Sequence, residues 1–217
     1  MPEVKVSQEH AEEMATRIRD LLTADTRKAV ETYFTRDSYA GTAFNLLGDN
    51  DPYTLNSDDV LAARFLGVDI KPPAVRALLM DSDIRYRVTA LLHDIDPSIR
   101  LWDAAAGDAI TPAGDLWTLL EGVPGIGWVI ASKLLARKRP HLIPIADALV
   151  WEYLQPPKEQ FWETLRQVLQ DAELRQTIEE VLRPEALRSA EMMEKISTIR
   201  LLDVAVWMHM KGQHSAK

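Results

Sequence analysis

The stretch GDLWTLLEGVPGIGWVIASKLLARKRP, residues 114–140, is the most informative part of the chain about its fold. Apolar side chains recur at helical spacing over residues 114–120, and the same pattern returns from Trp128 to Arg137. Between them, Val123-Pro124-Gly125-Ile126-Gly127 places one apolar residue between two glycines. Because glycine adopts positive φ without strain and presents no Cβ to a ligand, this segment predicts a tight hairpin between two helices. We expect Ile126 to point inward and hold the helices together.

The hairpin is also the N-terminus of the second helix. The first N–H groups of a helix have no acceptor within it, and the helix dipole favours an anion at that end. Amides beside Gly125 and Gly127 that face solvent would therefore bind a phosphate oxygen. The alternative is a plain turn between packed helices, which glycines form without any ligand.

Charge is distributed unevenly along the chain. The net charge is −8, yet residues 122–146 contain no Asp or Glu and carry +4. That charge comes from four residues, called the basic cluster from here on: Lys133, Arg137, Lys138 and Arg139. Lys and Arg provide most of the affinity for phosphate, so the pattern predicts one basic face on an acidic protein. The alternative is a solvated helical face without a ligand.

Helical periodicity extends over nearly the whole chain, and no alternating strand pattern stands out. We therefore predict an all-α helical bundle containing a helix-hairpin-helix element, with Thr35 to Ser57 as the longest irregular segment. The predicted helices are Gln8–Leu22, Thr26–Phe34, Asp58–Leu66, Pro73–Met80, Ile84–Leu92, Ser98–Ala106, Gly114–Leu120, Trp128–Arg137, Ala146–Leu154, Glu159–Gln170, Glu173–Leu182, Pro184–Lys195 and Thr198–Met210.

The composition is that of a folded protein. The 217 residues, 47% hydrophobic and 27% charged, fit one large domain or two smaller lobes. We treat residues 1–217 as a single domain with its hairpin core at about 114–154. No apolar run approaches the length of a membrane span, and residues 1–20 are too charged for a secretory signal. We expect no membrane contact and a cytoplasmic location.

Metal and cofactor sites are not expected. The chain has no cysteine, which excludes disulfides, thiolate zinc sites and cysteine-ligated iron–sulfur clusters. Asp49-Asn50-Asp51 begins like a calcium loop, but Thr54 and Val60 stand where glycine and glutamate are required. The five histidines are scattered, without a pair at helical spacing.

The hairpin and the residues after it resemble the core of the helix-hairpin-helix DNA glycosylases. That superfamily includes endonuclease III, the adenine mismatch glycosylases and the alkylbase glycosylases. The resemblance covers about Leu116 to Leu154 and rests on Val123-Pro124-Gly125-Ile126-Gly127, Ala131, Leu134-Leu135-Ala136, Pro140 and Pro144-Ile145-Ala146-Asp147. A nearer resemblance, over Leu134–Ile145 and Val204–Met208, is to a family of bacterial proteins and implies no activity.

The glycosylase resemblance implies an all-helical, two-lobed protein that holds double-stranded DNA by the hairpin. Such proteins flip a damaged or mismatched base out of the duplex and cleave its glycosidic bond. The DNA-binding residues implied here are Gly125, Gly127, Trp128, Val129 and the basic cluster. Trp128 would stack on a sugar or base, although packing against another tryptophan is the more ordinary role of such a residue.

Asp147 matches the shared catalytic aspartate of that superfamily, 18 positions after Val129. Its carboxylate would stabilise an oxocarbenium-like transition state and activate water. Val129 stands where the lyase-capable members have a nucleophilic lysine, which implies a hydrolase that leaves the strand intact; Lys133, one turn further on, is the candidate substitute. Asp147 would also serve as an ordinary N-cap of the next helix.

Three functional hypotheses follow. The first is a monofunctional base-excision glycosylase with Asp147 as its carboxylate. The second is a non-catalytic DNA-binding or repair-scaffold protein that keeps the hairpin. The third is an all-helical interaction module whose acidic surface binds another protein.

Overall fold

A computed structural model describes residues 6–36, 39–157 and 160–215 of the chain. Over these ranges the protein is helical without any strand, so the all-α prediction is confirmed. No helix within them is both long and apolar enough to cross a membrane. The helices are α1 Gln8–Asp20, α2 Ala24–Thr35, α3 Gly41–Leu46, α4 Ser57–Arg64, α5 Pro72–Met80, α6 Ser82–His93, α7 Ala106–Glu121, α8 Trp128–Lys138, α9 Ala148–Leu154, α10 Phe161–Leu169, α11 Ala172–Leu182, α12 Ala190–Lys195 and α13 Thr198–Ser215.

The helix predicted at Ser98–Ala106 is wrong, because this segment forms consecutive turns. Asp96 accepts hydrogen bonds from both the backbone and the hydroxyl of Ser98, and Asp103 accepts from the Arg100 backbone. Such local side-chain bonds compete with helical ones. The next helix, α7, corresponds to the one predicted at Gly114–Leu120. It begins at Ala106, eight residues before the predicted start.

Other helix boundaries also differ from those predicted. The irregular segment Thr35–Ser57 contains the short helix α3, and its residues 37–38 lie outside the described ranges. The predicted helix Pro184–Lys195 is divided into a single 3-10 turn and α12, because Ser189 caps a new helix there. The predicted start at Glu159 also lies outside the described residues, and α10 begins at Phe161.

The chain divides into two compact units. Unit 1 contains the described residues of Met1–Thr35 and Asp147–Lys217, and unit 2 those of Arg36–Ala146. The residues predicted as one domain are thus shared between two units. The boundary falls inside the predicted core at 114–154, so the hairpin belongs to unit 2 and Asp147 to unit 1.

Unit 1 is built around α13, which packs against α2, α9 and α11. The middle of α13, residues 201–206, is buried. The buried Arg200 pairs with Asp203 one turn later and donates a hydrogen bond to the hydroxyl of Tyr33 on α2 at 2.8 Å. This buried cation is therefore neutralised where α13 meets α2.

Unit 2 is built around α8, which packs against α4 and α7. A core cluster of Phe44, Ala62, Ala136 and Ile145 joins α3, α4, α8 and the connector after α8. The N-cap of α4 is Asn56: its side chain accepts from the Asp58 and Asp59 amides, and Asp59 accepts from the Asn56 amide in return. This capping box fixes the position of Asp59 on α4.

Candidate nucleic-acid interface

Six residues, Gly122 to Gly127, connect α7 to α8 and are called the hairpin segment below. Gly125 has φ +94°, a conformation that a residue with a Cβ adopts only with strain. Ile126 is only 4% exposed and its N–H donates to the Val123 carbonyl at 2.9 Å. Ile126 therefore points inward as expected, while Gly125 and Gly127 remain exposed.

The backbone amides of the hairpin segment differ in their hydrogen bonding. The carbonyl of Gly127 accepts from the Ile130 and Ala131 amides, which begins the ladder of α8. The N–H groups of Gly125, Gly127 and Val129 donate to no acceptor in the part of the chain that the structure describes. Three backbone donors therefore lie at the positive end of the α8 dipole. Trp128, between two of them, is 40% exposed.

The basic cluster is not on the surface. The exposed fractions of Lys133, Arg137, Lys138 and Arg139 are only 5, 3, 3 and 1%. All four lie on or directly after α8, and every residue of that helix beyond its first turn is buried. The prediction of a basic face is therefore wrong, and we no longer assign these four side chains to DNA binding.

The cluster is held by acceptors within unit 2. Arg137 Nε donates to Asp59 Oδ1 at 2.9 Å, and Lys138 Nζ lies 2.5 Å from Asp59 Oδ2. The remaining guanidinium nitrogens of Arg137 donate to the carbonyls of Phe44 and Leu47. Asp59 is fully buried, so one carboxylate pairs with two buried cations inside the unit.

Lys138 and Arg139 connect α8 to the turn after α3 and to the end of α6. Lys138 Nζ also donates to the Asn50 side chain and the Asp51 carbonyl, and burial lowers the pKa of Lys138 against the opposing effect of Asp59. The guanidinium of Arg139 donates to four backbone carbonyls, those of Pro52, Leu92, Ile95 and Lys138. Burial lowers the pKa of Arg139 to about 10.

Lys133 and Val129 occupy the positions at which the resemblance places an amine nucleophile. Lys133 Nζ donates to the Leu66 carbonyl at 2.8 Å, at the end of α4. A lysine that is buried and donates to a carbonyl is poorly placed to attack a sugar. The structure therefore gives Lys133 a packing role that the sequence pattern did not indicate.

Asp147 is the N-cap of α9. Its Oδ1 accepts from the Val150 amide at 3.0 Å, so the expected N-cap role is confirmed. Its other carboxylate oxygen accepts no hydrogen bond from the described residues, and the side chain is partly exposed. Capping therefore engages one oxygen and leaves the other available.

Two residues that matter to this region were missed from the sequence. Ser132 donates to the Ala146 carbonyl at 3.0 Å and accepts from the Ala146 amide at 3.2 Å, which fixes the connector at the end of unit 2. Asp59 forms ion pairs with both Arg137 and Lys138. The Asn56-Ser57-Asp58-Asp59 capping pattern was a signal for Asp59, whereas nothing in the sequence distinguishes Ser132 from an ordinary helical serine.

Metal ligation receives no support in the described residues, where no three His, Asp or Glu side chains are grouped closely enough to hold an ion. Over the described residues the protein is all-helical, and a six-residue connection with Gly125 at positive φ leads into α8, which is buried beyond its first turn. The chain belongs to the family described as "Family of unknown function (DUF6308)", whose model matches residues 26–210. No curated protein and no solved structure matches it.

Proposed function

We propose that this chain binds double-stranded DNA through the phosphate backbone at the hairpin segment. One observation carries the proposal: the N–H groups of Gly125, Gly127 and Val129 have no acceptor in the described chain. Backbone amides at a helix N-terminus are a common phosphate site, and contacts to phosphate position a protein on DNA without reading sequence. The resemblance to helix-hairpin-helix glycosylases agrees with this assignment.

Because the basic cluster is buried, the expected salt dependence and affinity of DNA binding are both lower than four surface cations would give. Four cations on phosphates would give a slope of log K against log salt of about −3.6, since each neutralised phosphate contributes about −0.9. With those side chains buried, amides and the helix dipole provide the contact, and a slope no steeper than about −2 is expected. The affinity should then be modest, with a Kd on the order of 10 µM at low salt.

Replacing Gly125 tests the site with a matched control. Gly125→Ala should weaken duplex binding about tenfold or more, because alanine resists φ +94° and the amides turn away from the phosphate. Gly67 has φ +78°, and no described atom lies near the position that a Cβ would take there. Gly67→Ala therefore imposes similar backbone strain in the same unit, at a glycine outside the hairpin segment. Fluorescence anisotropy with a labelled duplex over a salt series measures both the affinity and the slope.

Equal losses of binding in the two alanine variants would assign the effect to general strain in unit 2. Unchanged binding in Gly125→Ala, or a slope near about −4 in the unmodified protein, would contradict the proposal. Circular dichroism of both variants checks that the helical content is retained.

A second candidate function is hydrolysis of an N-glycosidic bond, with Asp147 as the carboxylate. The observation that favours it is the Asp147 oxygen that accepts no hydrogen bond within the described chain. That oxygen would orient and deprotonate water or stabilise positive charge on the sugar. Val129 at the lysine position restricts the proposal to a hydrolase that leaves an abasic site.

Asp147→Asn should abolish alkali-labile products from duplexes carrying damaged or mismatched bases, while duplex binding persists. Asparagine caps helices as well as aspartate does, so α9 should keep its start. Asp171→Asn is the matched control, because Asp171 caps α11 through the Glu173 and Leu174 amides. Products retained in Asp147→Asn would remove its catalytic role, and binding without any product would support the scaffold hypothesis.

Borohydride trapping separates the hydrolase from a lyase. No covalent adduct should form, because Val129 lacks an amine and the Lys133 amine is buried against the Leu66 carbonyl. An adduct that disappears in Lys133→Met would overturn this assignment and show that the lysine reaches the sugar.

A further inference from the structure

An open groove of about 640 Å³ runs along one face of α5 in unit 2. Its floor is apolar and its rim is charged, and it is called the α5 groove below. The apolar residues that line it include Val75, Leu79 and Met80, and the cations that line it are Arg64, Lys71 and Arg76. None of these residues belongs to the hairpin segment.

The apolar floor is an outer face of α5, separate from the face that forms the core. Ala74 and Leu78 are buried inside unit 2, whereas Val75 and Leu79 lie one position further along and face the groove. Met80, at the end of the helix, is 73% exposed. Val75, Leu79 and Met80 thus leave apolar surface on α5 that the core of unit 2 does not cover.

The rim of the groove is positive on a negative protein. Asp69 is the single carboxylate among the lining residues, and it pairs with both Lys71 and Arg64, the latter at 3.2 Å. Arg76 forms no ion pair within the described ranges. Three cations and one carboxylate leave the groove at +2, while the whole chain carries −8.

We propose that the α5 groove binds an acidic amphipathic helix of a partner protein. Apolar side chains at a spacing of three and four residues would lie on Val75, Leu79 and Met80, and flanking carboxylates would meet Arg76 and its neighbours. Duplex DNA would gain little binding energy from the apolar floor of the groove. A helix fits into a concave groove, whereas a flat bilayer surface does not. The residues of this partner site lie outside the hairpin segment, and the proposal does not rest on DNA binding.

A defined peptide pair tests the proposal on the full-length chain. The first peptide is helical, with leucines at i, i+3, i+4 and i+7 and glutamates beside them; the second carries lysines in place of the glutamates. The acidic peptide should bind at least about tenfold more tightly than the basic one and should shift the Met80 methyl signal in an NMR titration. Its affinity should fall with added salt.

Single substitutions in the chain locate the site. Arg76→Glu and Met80→Glu should each weaken the acidic peptide about tenfold. Their controls are Arg85→Glu, another exposed arginine outside the groove, and Met193→Glu, an exposed methionine in unit 1, and both should leave the affinity within about twofold. Thermal unfolding of each variant confirms that the protein remains folded.

Several outcomes would overturn the proposal. These are absence of binding at about 1 mM peptide, equal affinity for both peptides, or equal losses in the groove variants and their controls. Arg76-dependent binding to phosphatidylglycerol vesicles without peptide binding would assign the groove to lipid. Self-association that Arg76→Glu abolishes, again without peptide binding, would assign it to a second copy of the chain.

Discussion

Asp59→Ala should lower the free energy of unfolding of unit 2 by about 3–5 kcal/mol, because it removes one partner of a fully buried ion pair. Asp59 forms ion pairs with both Arg137 and Lys138, whose side chains are almost completely buried with it. Burial lowers the pKa of Lys138, and Asp59 opposes that shift by stabilising the charged amine. The alanine variant leaves the buried Arg137 guanidinium without a carboxylate partner. Urea unfolding measures the loss, and hydrogen exchange of the α4 and α8 amides locates it.

Asp58→Ala is the matched control for that substitution. Asp58 occupies the same first turn of α4, so its removal costs a similar helix-dipole interaction, and a loss below about 1 kcal/mol is expected. Asp59→Asn should fall between the two, because it keeps one acceptor oxygen but loses the charge and the second acceptor. Equal effects of Asp58→Ala and Asp59→Ala would show that Arg137 and Lys138 do not depend on Asp59.

Arg139→Met should destabilise unit 2 by on the order of 3 kcal/mol. Methionine fills much of the same space but donates no hydrogen bond, so the carbonyls of Pro52 and Ile95 lose the guanidinium donor. The Leu92 carbonyl also loses it but still accepts from the Ile95 amide at 3.3 Å. A buried acceptor without a partner costs about 1–3 kcal/mol, and water reaching some of these carbonyls reduces the sum. Thermal unfolding measures the loss, and faster hydrogen exchange is expected at the end of α6.

Two other variants provide controls for the stability of Arg139→Met. Arg100→Met removes an exposed arginine of the same unit and should change stability by less than about 0.5 kcal/mol. Arg139→Lys keeps the charge with fewer donors and should lie between wild type and Arg139→Met. An Arg139→Met variant as stable as Arg100→Met would mean that the guanidinium is not needed to join these segments.

The helical class and most helices were predictable from the sequence, because amphipathic spacing marks a helix wherever one face is buried. Segment 98–106 is an exception: its apolar residues are spaced as in a helix, yet it forms turns. There the Asp96 and Asp103 carboxylates accept hydrogen bonds from nearby backbone amides. A glycine turn between α7 and α8 was predictable for a different reason. Glycine adopts positive φ without strain, and Gly125 does adopt φ +94°.

The burial of the basic cluster was not predictable from local pattern. Charged runs normally lie in solvent, and the acceptors that bury these cations come from residues 44–95, far away in sequence. One signal was present: α8 has apolar residues on every side, with little room for a polar face. The division of the chain between Ala146 and Asp147 likewise depends on tertiary packing, which no short motif encodes.

An NMR titration of the 15N-labelled chain with a short duplex is the sharpest test of DNA binding at the hairpin segment, because it observes the proposed donors themselves. We expect the amide signals of Gly125, Gly127 and Val129 to shift most, downfield as N–H groups meet phosphate, while Gly67 stays unchanged. Shifts confined to other surfaces, or none at saturating duplex, would refute the hairpin segment as a DNA-binding site.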